Sequence, residues 1–95
     1  NYITKPYDVV HRLLANFDVG QDYRSICSRL CAELEDCVDL MSKTPNSIAS
    51  AVILITLRGS FTKNDICSKC EVSVPTINKI ENIVKKHLER KNVSY

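Results

Sequence analysis

The stretch TPNSIASAVILITLR, Thr44 to Arg58, constrains this chain more than any other part of it. Eight of the ten residues from Ile48 to Leu57 are apolar, and at helical spacing they point to every side, so a helix made of them needs neighbours all round. Thr44 is placed to accept a hydrogen bond from a free amide of the first turn, and Pro45 takes the first helical position, where it has no hydrogen bond to lose. Gly59 ends the segment by tolerating positive φ. The longest unbroken apolar run is only Ala51 to Ile55, against the roughly 20 residues that a bilayer requires, so a core helix and not a membrane span is predicted.

Ninety-five residues make one domain, here 1–95. Two glycines, no tryptophan and long helical periodicities predict an all-α class: a five-helix bundle around the central third helix. Nothing in these residues reads as a repeat, a low-complexity tract or a signal peptide. The chain begins with Asn1 and not Met, which reads as a domain of a longer protein. A first helix is expected over Pro6 to Phe17, with Val9, Val10, Leu13, Leu14 and Phe17 on one stripe. After a turn over Asp18 to Asp22, a second is expected over Asp22 to Met41. Its stripe holds Tyr23, Ile26, Cys27, Leu30, Cys31, Leu34, Cys37, Val38 and Met41, and its solvated face Arg24, Arg29, Glu33, Asp36 and Asp39.

Beyond the central helix, Thr62 caps a helix running to Cys70, with Asp65 three residues on in a variant of the capping box. Glu71 and Val72 make a turn, and Ser73 caps a last helix over Val74 to Arg90. Two helices joined so tightly form a helix-turn-helix layout. Residues 1 to 59 carry 6 basic and 7 acidic side chains, whereas residues 60 to 95 carry 7 basic and 4 acidic, so the positive end is the carboxyl end. With Ile77 at zero and about 100° per residue, Ile80, Val84 and Leu88 fall within roughly 60° of it, while Pro75, Asn78, Lys79, Asn82, Lys86 and Arg90 gather opposite. One face packs and the other offers amides and cations, which suit base edges and phosphates. Glu89, on the same side, repels phosphate, so binding is expected to depend on the first turns of this helix. The candidate DNA contacts are Lys63, Ser73, Pro75, Thr76, Asn78, Lys79, Asn82 and Lys86.

Five cysteines raise the question of zinc or disulfides, with Cys67 and Cys70 in a CxxC and Cys27 and Cys31 one helical turn apart as a second couple. Cys27, Cys31 and Cys37 all sit on an apolar stripe, where a free cysteine behaves as a small hydrophobe, so packed free thiols in a reducing compartment are expected, without a metal or other cofactor. No catalytic arrangement is recognisable: His11 and His87 stand on different helices without a neighbouring Ser or Cys in the sequence, and the acids are spread along polar faces.

The run TPNSIASAVI followed by FTKNDICSKCEVSVPTINK resembles the end of a TFIIB-type cyclin repeat. In that family the hub helix commonly reads SP-x-S-[VI]-A-x-A-x-I and the helix-turn-helix T-x-x-[ED]-I followed by V-S-x-x-T-I. Pro6, Asp8, Arg12 and Asn16 are similar to the opening helix of the second repeat of TFIIB and its archaeal counterparts. The resemblance implies a non-enzymatic initiation factor that grips a TATA-binding protein on bent promoter DNA, contacts flanking DNA with its last two helices and helps recruit RNA polymerase. It implies neither a membrane nor a small-molecule ligand. It places the protein in the nucleus, or in a cytoplasmic viral factory if the divergent wording reflects a large DNA virus. Family members that read a G/C-rich element carry Val and Arg where this chain has Pro75 and Asn78, so that specificity does not carry over. The turn position usually held by glycine is Glu71, at a cost of roughly 1 kcal/mol if its φ is positive. The reading from another class is a cyclin-type repeat that only docks protein partners, with a vestigial helix-turn-helix.

Overall fold

The computed structural model describes residues 6–93. The central helix, α3 (Pro45–Thr56), begins as its sequence requires: the Thr44 hydroxyl accepts from the Ser47 amide at 3.3 Å and donates to the Ser47 hydroxyl at 2.8 Å, with Pro45 in the first turn. Every residue from Ile48 to Ile55 is buried. The hydroxyls within this apolar helix return to its own backbone, Ser50 donating to the Asn46 carbonyl at 2.7 Å and Thr56 to the Val52 carbonyl at 2.9 Å, which spares the core an unsatisfied polar group. Past the cap at Leu57, Gly59 takes φ +96°, a conformation that costs a residue without Cβ nothing.

Four helices surround α3, and it touches all of them: α1 (Pro6–Leu14), α2 (Gln21–Glu33), α4 (Lys63–Cys70) and α5 (Val74–Arg90). The class is all-α, with no strand among the described residues. No helix among them is long and apolar enough to cross a membrane. Regular α1 stops three residues short of the expected Phe17. The chain tightens into i to i−3 bonds at Ala15, Asn16 and Phe17, so Phe17 still reaches the core, edge-on to Phe61 with ring centroids 5.0 Å apart. The Lys69 ammonium lies 5.7 Å from the Phe17 ring centroid and ties α4 to this corner.

The second helix departs further from expectation. It ends at Glu33, not Met41, and after a break a single 3-10 turn forms over Val38–Leu40. Glu33, Glu35 and Asp36 crowd the negative end of the helix dipole with no basic residue in its last turn, which disfavours continuation. The tighter turn also changes the buried set. Residues three apart align in 3-10 geometry, so Leu34, Cys37 and Leu40 enter the core while Val38 and Met41 stand 74% and 72% exposed. Tyr23, expected on the apolar stripe, is exposed as well. The acids at the break are met by the end of α5: Lys91 donates to the Glu33 carbonyl at 3.1 Å and to both Asp36 oxygens at 3.1 and 3.2 Å, and His87 Nε2 lies 3.1 Å from Asp36 Oδ1. The hydrogen bonds from Lys91 and His87 hold the Asp36 carboxyl below its ordinary range.

The corner between α4 and α5 is three residues long. Thr62 accepts from the Asp65 amide at 3.1 Å to start α4. Glu71 ends it in the left-handed conformation at φ 59° and ψ 43°, and the Val72 amide reaches back to the Cys67 carbonyl at 3.0 Å, a Schellman closure. The Asn46 side chain donates to the Cys70 carbonyl at 3.0 Å, fastening the end of α4 to the start of α3. Ser73 holds the N-cap backbone conformation of α5, but its hydroxyl donates to the Thr76 hydroxyl at 2.8 Å and accepts from no first-turn amide. At the far end, Asn92 at φ 58° and the Val93 amide bonded to the Leu88 carbonyl at 2.9 Å make a second Schellman closure.

Cutting Ile53, fully buried in α3, to Ala should cost about 2 to 5 kcal/mol in urea unfolding; an unchanged midpoint would show that α3 is not the core. Glu71→Gly should raise stability by about 1 kcal/mol, because glycine occupies the left-handed region without a Cβ clash, and a loss of stability would refute that geometry.

Candidate nucleic-acid interface

The packing of α5 decides which of its side chains are available. Ile77, Ile80, Val84 and Leu88 are buried, and this stripe turns Pro75, Thr76, Lys79, Asn82 and Lys86 outward, all of them exposed. From Pro75 to Lys86 the helix rises by about 16 Å at about 1.5 Å per residue, enough for the exposed side chains to address successive positions along a groove roughly 12 Å wide. Ser73 is exposed at the start of this row.

Two of the eight candidate contacts are differently placed. Lys63 and Asn78 are half-buried and face each other, the Lys63 ammonium donating to Asn78 Oδ1. Lys63 also lies 3.6 Å from Glu81 Oε1. The exposed row and the inward-turned pair therefore form two zones of the same helix, joined at Asn78.

Glu81 is what organises the second zone, and sequence reading missed it. Its side chain is only 10% exposed, yet Arg58 Nη2 and Lys85 Nζ both approach its Oε2, at 3.2 and 3.3 Å. A buried carboxylate is tolerated only when paired and hydrogen-bonded, and here partners arrive from three parts of the chain: the end of the hub, the first turn of α4 and the next turn of α5. The result pins the start of α4 and the middle of α5 to one point beside α3. The signal was present. Glu81 falls about 40° from Ile77 on the helical wheel, an acid inside the apolar stripe with a lysine four residues on.

Ser28 is a second neighbour that sequence spacing concealed. Its hydroxyl lies 2.9 Å from His11 Nε2, and the edge of the His11 ring meets Tyr7 at a centroid distance of 4.8 Å. These contacts set the imidazole between α1 and α2.

All five cysteines are buried free thiols. Among the described residues no three His, Cys, Asp or Glu side chains gather as metal ligands, so Cys27 and Cys31 do not complete a quartet with Cys67 and Cys70. Burial pushes the Cys31 thiol up to about 12, helped by Cys27 and Glu35 nearby. Burial also raises Cys27, Cys67 and Cys70. Since the thiolate is the reactive form, Cys67 and Cys70 lie in the core as thiols with little thiolate near neutral pH. A disulfide-exchange reagent should accordingly leave the folded chain largely unmodified near neutral pH and count all five thiols after unfolding. Rapid reaction of two thiols in the folded state, or a zinc ion in the native intact mass, would contradict this.

Neither a family model, a curated protein nor a solved structure gives a significant match to this chain.

Proposed function

We propose that this domain is a TFIIB-type cyclin repeat that binds promoter DNA through α4 and α5, beside a TATA-binding protein, and helps recruit RNA polymerase without catalysing a reaction. The observation that carries the reading is the presentation of α5. One stripe is fixed against α3, and the opposite face offers Pro75, Thr76, Lys79, Asn82 and Lys86 from a helix that follows its partner after three residues. The match of TPNSIASAVI and FTKNDICSKCEVSVPTINK to the family wording supports the same conclusion. In this reading Lys79 and Lys86 neutralise backbone phosphates. Asn82 is the residue for a base edge, since an asparagine amide pairs with the major-groove edge of adenine. Asn78 has its carbonyl oxygen engaged by Lys63, which leaves its amide hydrogens as donors to DNA or to water.

One observation favours the docking alternative. Val38 and Met41 protrude from the 3-10 turn, and exposed apolar side chains close together suit a protein partner.

Titration of fluorescent promoter duplex with the factor and its TATA-binding protein over a salt series separates the two. Lys86→Ala should weaken binding to every sequence alike and reduce the slope of log K against log salt by about 0.9. Asn82→Ala should relax preference at one base pair, by roughly 1 to 3 kcal/mol of discrimination, more than it lowers overall affinity. If Lys79→Ala, Lys86→Ala and Asn82→Ala leave the complex unchanged across the series, α5 is not a recognition helix and the docking reading replaces this one.

A further inference from the structure

We propose that Arg58, Lys63 and Lys85, gathered around Glu81, form a seat for a backbone phosphate of duplex DNA on the flank of α5. The proposal rests on the DNA-binding reading above and adds to it a contact zone outside the exposed row of that helix. Three positive charges here meet one negative charge. The carboxylate lies beneath, with 10% of its side chain exposed, while the cations open to water at 61% for Arg58, 40% for Lys63 and 28% for Lys85.

The spacing of the charged heads suits an oxyanion. Arg58 Nη2 and Lys85 Nζ approach the same oxygen at 3.2 and 3.3 Å, so the two nitrogens are at most about 6.5 Å apart. An oxyanion accepting at about 2.8 Å from each of two such donors bridges a gap of that order. A guanidinium has five N–H donors and an ammonium three, so one carboxylate does not exhaust them. Glu81 gathers the cations, and their mutual repulsion at this range is relieved by a second anion arriving from solvent.

The position selects a nucleic-acid phosphate. Lys63 is bonded to Asn78, which adjoins the outward row containing Asn82 and Lys86, so the seat continues that face towards the end of α3. A strand running along α5 would then meet cations on the helix face and again on its flank.

The test is anisotropy of a labelled promoter duplex with the factor and its TATA-binding protein from about 0.05 to 1 M salt, for Arg58→Gln and Lys85→Gln, with Lys79→Gln from the exposed row as reference. Each flank variant should reduce the slope of log K against log salt by about 0.9, which is about 8-fold weaker binding at 0.1 M salt and convergence with the parent near 1 M. Glu81→Gln removes the competing negative charge and should steepen the slope and tighten binding at low salt. If Lys79→Gln flattens the slope while Arg58→Gln and Lys85→Gln do not, the seat is refuted and the DNA reading stands. If none of the three variants changes the slope or the affinity, both fall. Weakening by the flank variants that persists at 1 M, or weakening by Glu81→Gln at all salts, would make the cluster a structural clamp only and overturn the proposal.

Discussion

A helix with no polar side cannot lie at the edge of a domain. From Ile48 to Ile55 each residue of α3 is covered, and four helices are needed to cover it. Each of those helices must turn an apolar stripe inward and leave a polar one outside, so the demand of α3 for cover also settles what each shows to solvent. The approach is close enough that small polar groups fill the seams. Cys27 of α2 and Cys70 of α4 are both buried, and the Thr56 and Ser50 hydroxyls of α3 turn back to their own backbone. Cysteine suits these places because it packs like a small hydrophobe and still offers a weak hydrogen bond.

What could be read from the sequence was whatever rests on local chemistry. The caps at Thr44 with Pro45 and at Thr62 are each decided within four residues and are found as expected, and the turn at Glu71, whose φ the sequence left open, is left-handed. The stripe of α5 was equally legible because its 17 residues hold one period throughout. The end of α2 was not. Its apolar residues fit an α-helical period to Met41, and only the pile-up of Glu33, Glu35 and Asp36 against the helix dipole hinted at the break. The answering cations, Lys91 and His87, lie more than fifty residues away, and spacing arguments do not reach so far.

The candidate interface divides along the same line. The outward row of α5 follows from periodicity, and the sequence reading found it. The cluster around Glu81 is built from Arg58, Lys63 and Lys85, so its cations come together only once α3, α4 and α5 have packed. Sequence grouped Lys63 with Lys79 and Lys86, and the fold sets it apart from them by turning it towards Asn78 and Glu81.

The two ends of α3 hold different members of the helix pair. Asn46 in its first turn binds the last carbonyl of α4, and Arg58 just past its last turn binds Glu81 of α5. With the core stripe between them, these attachments leave no hinge between the pair and the central helix. A torque applied to the outer face of α5 is therefore borne by α3 and passed to α1 and α2 on its other sides. Turning the pair against α3 would have to break the attachments at both of its ends at once.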